Sequence, residues 1–314
     1  MANHDETILP TPTVPTLPPT PTPTPTLPPV LPMPTVPPMQ YYGQTDAFGF
    51  SQLSEIWRTR ELLYSFFLRD LLIRYRQVVV GVFWVLLQPL MGMLIFMGLF
   101  YVLETKPGNS TVAFAPIILT GMLCWQLVSS SFRDATGSLV NYRHVVTKIY
   151  FPRMLLPLAS LLCAVFDLAI GSVLLLPVCA ISQTSIVWST AWLAIPIAMW
   201  LILFCAGCIA WLSALNAHYR DVGYALPFVL QLGMFVSPVV YDIERLRNRL
   251  TDQWVWLYEA NPIATCIGLL RWSLFGTQLP SGPGMAMAAM VTALVCLSGL
   301  AWFQHADQQL ADRI

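Results

Sequence analysis

The 314-residue chain is 56% hydrophobic and 10% charged, and its sixteen basic and sixteen acidic side chains cancel. A soluble domain carries about 25% charged residues, so the composition excludes an ordinary soluble fold and places the chain among polytopic helical membrane proteins. A net charge of zero gives no support for a nucleic-acid partner, and only the placement of the basic residues carries information.

Residues 1–45 form a Pro/Thr-rich arm. Fourteen of the 26 prolines fall before residue 41, which predicts an extended, disordered cytoplasmic segment. It has neither a basic start nor an apolar core, so a cleaved export signal is not expected. From residue 46 to 77 apolar positions recur at spacings of three and four: Leu53, Ile56, Trp57, Leu63, Tyr64, Phe67, Leu68, Leu71 and Tyr75. The spacing predicts an amphipathic helix lying in the cytoplasmic membrane interface.

Arg69, Arg74 and Arg76 precede the first long apolar run, Val78–Leu103, whose strongly polar member is Gln88. About 25 residues at 1.5 Å each span a hydrocarbon core of about 30 Å. The following runs are Phe114–Phe132, Leu158–Ile181, Ala191–Leu215, Val222–Tyr241 and Met285–Phe303, giving six transmembrane helices. The basic segment Arg133–Pro157 is assigned to the cytoplasm, and Asp242–Pro283 to the outside. On this assignment eleven Lys/Arg lie inside, and five (Lys106, Arg245, Arg247, Arg249, Arg271) lie outside. That bias places both termini in the cytoplasm. Pro227 and Pro238 in the fifth run require neighbours that satisfy the carbonyls they free. The run Asn261–Gly276 is apolar but too short to span, as a re-entrant helix is, with Asn-Pro as its start and Gly as its stop.

Phosphate-cradling chemistry of the P-loop type is excluded, because the two lysines, Lys106 and Lys148, each follow a threonine and no Gly-Lys-Ser/Thr occurs. Neither His-Glu-x-x-His nor Gly-x-Ser-x-Gly is present, the four histidines are scattered, and no metal site is expected. Cys205-Ala-Gly-Cys208 lies in mid-span, where packing rather than redox chemistry explains it. Asp167 puts a carboxylate deep in a span and must face protein or a wet cavity; Gln88, Gln126 and Gln231 pose the same question. Phe83, Trp84, Phe96, Phe100, Tyr101 and Trp125 read either as interface and packing aromatics or as the lining of a passage on which sugar C–H faces stack.

Four ordered segments carry a family resemblance. Arg69–Gln77 leading into Gly81-Val82-Phe83-Trp84 and Leu87-Gln88-Pro89, Tyr150-Phe151-Pro152-Arg153 with Leu156-Pro157, Tyr219-Arg220-Asp221-Val222 through Ser237–Tyr241, and Asn261-Pro262 with Arg271-Trp272 resemble type 2 ABC transporter permeases that export O-antigen and related cell-surface polysaccharides. The resemblance covers about residues 50–303. It implies an all-α integral membrane fold of six spans, with residues 78–314 as the permease domain and the helix before it as a gate. A homodimer in the cytoplasmic membrane of a bacterium would work with two cytoplasmic ABC ATPase subunits, which would bind the ATP and Mg; no cofactor is expected on this chain. Arg143, His144, Lys148, Tyr150 and Arg153 would fall in the segment coupling to the ATPase, and Asn261, Pro262, Arg271 and Trp272 in the outer gate. Charge position adds that Arg69, Arg74 and Arg76 either orient the chain on anionic membrane lipid or receive the headgroup of a lipid-linked polysaccharide. A type 2 permease for another cargo (lipid, drug or a teichoic-acid-like polymer) is the alternative, and a membrane enzyme acting on lipid-linked sugars is a more distant one.

Overall fold

The computed structural model describes residues 57–76, 83–102, 114–142, 151–241, 255 and 258–313. The Pro/Thr arm, Arg143, His144, Lys148 and Tyr150 of the segment assigned to ATPase coupling, and Arg245, Arg247 and Arg249 lie outside them. The secondary structure of the described residues is helical: α1 Arg60–Arg76, α2 Phe83–Val102, α3 Phe114–Asn141, α4 Leu155–Ser172, α5 Leu175–Ile181, α6 Trp188–Ala191, α7 Ala194–His218, α8 Asp221–Val236, α9 Pro262–Phe275 and α10 Gly282–Arg313.

Five stretches are long and apolar enough to cross a membrane: α2, α3, α4 with α5, α6 with α7, and α10. The chain is therefore a multi-pass membrane protein. The breaks inside two of these stretches have one cause. Val173–Leu174 separates α4 from α5 and Trp192–Leu193 separates α6 from α7. Each break begins four residues before a proline, Pro177 and Pro196, whose missing N–H leaves the carbonyl at i−4 without its helical donor.

The run expected as a fifth span, Val222–Tyr241, is helical only as α8, sixteen residues long. Ser237 precedes Pro238 and is driven out of the helical region, to φ −88° and ψ 149°. From there to Tyr241 the chain is irregular, and Val239 and Val240 are buried.

α3 is the centre of the structure. In its most apolar window 72% of residues are inside the protein, against 17% for α2, which therefore leaves most of its apolar surface uncovered. α3 packs against α2, α4, α7, α8 and α9. Its hydroxyls are satisfied within the helix: Thr120 donates to the Pro116 carbonyl at 2.8 Å, Ser130 to Gln126 at 2.7 Å and Thr136 to Phe132 at 2.6 Å. Polar side chains bonded this way cross an apolar layer at small cost. The sequence reading ended this span at Phe132; the helix instead runs on to Asn141, with Ala135, Thr136, Ser138 and Leu139 buried.

On the other side of the core α7 packs against α10, where Trp211 stacks on Trp302 at 5.0 Å. At its end Asn216 ties three helices. Its amide donates to the Thr136 carbonyl at 2.8 Å and its oxygen accepts from the Gly223 N–H at 2.9 Å. Asn216→Leu is expected to destabilise the protein by about 1–3 kcal/mol, since it removes the two hydrogen bonds that join α7 to α3 and α8. The measurement is the melting temperature of the purified protein, and an unchanged value would show that this turn is not held by Asn216.

Candidate functional site

Three constellations hold the residues singled out from the sequence, and α3 carries a part of each.

The first lies where α1 docks on α4 and on the C-terminal part of α3. Phe66 is buried against Phe151, ring centres 5.3 Å apart, while Phe67 and Tyr75 each meet Phe166 edge-on at 6.3 Å. Tyr64, Leu72 and Ile73 of α1 are exposed, whereas Arg69, Asp70 and Arg74 are paired within the protein. Arg69 bonds Asp70 at 3.0 Å and lies 4.0 Å over the ring of Tyr142, whose hydroxyl donates to Asp70 at 2.8 Å. Arg74 bridges two helices, donating to Asp134 of α3 and to Asp167 of α4, the latter at 2.5 Å. Tyr75 donates to the second oxygen of Asp167, also at 2.5 Å.

Burial depresses the Arg74 pKa, but the carboxylates of Asp134 and Asp167 outweigh it and the guanidinium is held above its ordinary value. Burial, then the bonds to the carboxylates of Asp167 and Asp70, push the Tyr75 and Tyr142 hydroxyls up as well. Asp167 thus faces protein. Asp134 was not anticipated, because the span was expected to end before it. Arg76 closes α1, its side chain outside those described. Arg153, just before α4, pairs with Asp307 of α10 at 3.0 Å.

The second constellation lies toward the other end of α3. Arg271 of α9 is 1% exposed, and its guanidinium donates to three carbonyls: Ile117 at 3.1 Å, Val239 at 2.8 Å and Tyr241 at 2.8 Å. Two of these belong to the irregular segment that Pro238 initiates, so Arg271 supplies donors that the interrupted helix lacks. The sequence reading counted Arg271 among the outer charges; its guanidinium is buried on backbone oxygens. Gly121 makes the approach possible, since a Cβ there would lie 2.0 Å from the Val239 oxygen. Asn261 caps α9 by accepting from the Ile263 N–H at 3.0 Å, Pro262 takes the first helical position, and Gly276 ends the helix at φ +68°. These are the start and stop read from the sequence. Trp272, the neighbour of Arg271, is half-buried.

Between these two lies an open cavity of about 340 Å³ lined by α2, α3 and α8. It gathers the three span glutamines: Gln88 from α2, Gln126 from α3 and Gln231 from α8. Trp125 and Phe96 supply aromatic walls, and Ser129 and Arg133 extend the polar strip. Gln126, Ser129 and Arg133 fall at i, i+3 and i+7, one face of α3. The Gln126 side-chain oxygen is buried with no hydrogen-bond partner among the described residues. Of the aromatics expected in a passage, Phe96 and Trp125 line this cavity. Phe100 instead packs edge-on against Phe114 at 5.1 Å, and Phe83, Trp84 and Tyr101 are exposed on α2.

Comparison with known proteins adds a family. Residues 61–275 match the family described as ABC-2 type transporter. Among curated proteins the chain is 22% identical over 260 residues to the O-antigen export system permease protein RfbA of Myxococcus xanthus, covering 83% of this chain and 98% of that one. It is 25% identical over 252 residues to the protein of the same name from Klebsiella pneumoniae, covering 78% and 91%. To the polysialic acid transport protein KpsM of Escherichia coli it is 21% identical over 254 residues, covering 78% and 93%.

Proposed function

Since the chain belongs to the ABC-2 type transporter family, we propose that it is the membrane-spanning permease of an ATP-driven exporter that moves a lipid-linked polysaccharide out of the bacterial cytoplasm. Export of O-antigen and transport of polysialic acid, the activities in its relatives' names, supply the cargo class. In this reading the chain sits in the cytoplasmic membrane with both termini inside and pairs with a second copy. Two separate ATPase subunits, carrying ATP and Mg, dock on the segment containing Arg143, His144, Lys148, Tyr150 and Arg153.

α8 with the irregular Ser237–Tyr241 segment makes the sixth crossing. Sixteen helical residues cover about 24 Å, and non-helical backbone at membrane depth is stable where protein satisfies it, as Arg271 does here. α1, with Arg69, Arg74 and Arg76, is the inner gate. α9, from Asn261-Pro262 to Arg271-Trp272, is the re-entrant outer one.

The observation that carries the reading is the cavity beside α3. Amides and a hydroxyl that match sugar hydroxyl groups stand next to Trp125 and Phe96, whose faces accept sugar C–H groups. It is tested by restoring surface polysaccharide to a strain lacking the gene. Trp125→Ala is expected to reduce export by roughly tenfold, the loss of about 1.4 kcal/mol of contact, with the protein still copurifying with its ATPase. Full export by Trp125→Ala would remove the cavity from the path. Copurification with no ATPase would remove the exporter reading.

A further inference from the structure

We propose that Arg133, at the end of the cavity's polar strip, is the site that receives the phosphate-bearing headgroup of the cargo lipid, a placement that rests on the exporter reading above. The reason begins with the charges available near the inner face. Arg74 sits between Asp134 and Asp167, so an incoming phosphate meets one cation and two carboxylates. Arg69 is held by Asp70 and stacked on Tyr142. Both guanidiniums are committed to holding α1 on the bundle.

Arg133 differs in each respect. It is exposed, lies on the cavity, and pairs with no carboxylate among the described residues. Its sequence neighbour Asp134 is turned to Arg74. The groups that share the cavity with Arg133 suit an oxyanion followed by polar chain: the Ser129 hydroxyl one turn along the same face, then the amide of Gln126, with Gln88 from α2 across from them. The Gln126 side-chain oxygen has no hydrogen-bond partner among the described residues, which leaves the strip with an acceptor for a donor such as a sugar hydroxyl. An arginine fork and amide donors bind phosphate oxygens through charge-assisted hydrogen bonds. The spacing also fits passage. Arg133 and Gln126 are seven residues apart, about 10 Å along α3, so the headgroup would reach Arg133 with the first sugars already beside the glutamines.

The test uses the full chain with its ATPase in nanodiscs of phosphatidylcholine and measures binding of a labelled polyprenyl diphosphate. Arg133→Gln is expected to weaken binding by roughly tenfold, while Arg133→Lys stays within about threefold of wild type because the charge remains. Equal affinity for Arg133→Gln and wild type overturns the site and leaves the exporter reading standing. No binding to the wild-type complex overturns both. If phosphatidylglycerol displaces the probe at comparable concentration, the site reads bulk anionic lipid and its assignment to the cargo falls. Should Arg133→Gln fail to assemble, a photoactivatable polyprenyl diphosphate reports the same contact on the wild-type complex. Adducts within residues 126–133 support the site, and adducts confined to α1 overturn it.

Discussion

Arg271→Leu is expected to prevent accumulation of folded protein in the membrane. The guanidinium bonds three carbonyls, of Ile117, Val239 and Tyr241, and leucine satisfies none of them. Each buried carbonyl left unpaired costs about 1–3 kcal/mol, so the loss is comparable with the whole stability of a typical domain. Lysine keeps the charge but not the planar fork, and Arg271→Lys should give folded protein with a reduced melting temperature. Gly121→Val should fail as Arg271→Leu does, for a steric reason, since its Cβ would overlap the Val239 oxygen. Size-exclusion profiles and melting curves of the detergent-solubilised protein decide this. A wild-type profile for Arg271→Leu would mean that water reaches these carbonyls.

The second large effect concerns Arg74. Arg74→Gln leaves the buried carboxylate of Asp167 without its cation, and breaking a buried pair from one side costs about 3–5 kcal/mol. Partial exposure of Arg74 moves the expectation toward the lower end. The consequence is detachment of α1, read as protease sensitivity between residues 57 and 82 together with loss of export. Asp167→Asn in the Arg74→Gln background removes the stranded charge and should restore much of the protection. If Arg74→Gln alone behaves as wild type, or if Asp167→Asn gives no rescue, the ion pair is not what holds α1. Loss of export in Arg74→Gln is therefore not by itself evidence that Arg74 touches cargo.

How far these features could be read from the sequence follows from the range of the forces behind them. Asn261-Pro262 and Gly276 bound α9 as expected, because capping is settled within a few residues. The need for donors behind Pro238 was also legible, being local chemistry. That the donor is Arg271, 33 residues later, was not: a charge count sees only sign and position along the chain, not the carbonyls that a guanidinium reaches. Asp134 escaped for a related reason. A hydropathy window ends where polar residues begin, whereas α3 continues as far as its buried face continues. The three glutamines were each conspicuous in apolar runs, yet their convergence depends on how α2, α3 and α8 pack. A signal was present in the i, i+3, i+7 spacing of Gln126, Ser129 and Arg133. The apolar spacing on α1 gave its helix, but not that Arg69, Asp70 and Arg74 would turn inward while Tyr64, Leu72 and Ile73 turned outward.

α3 carries Ile117 and Gly121 at one end and Asp134 at the other, seventeen residues or about 26 Å from the first to the last. It is a single unbroken helix, tightly enclosed, and close-packed interiors do not compress. A tilt of this rod pivots about its densely packed middle and swings its two ends in opposite directions. The clasp on α1 and the clasp on α9 are then the two arms of one lever, with the cavity near the fulcrum. A pull on one clasp would then arrive at the other as a displacement of opposite sense.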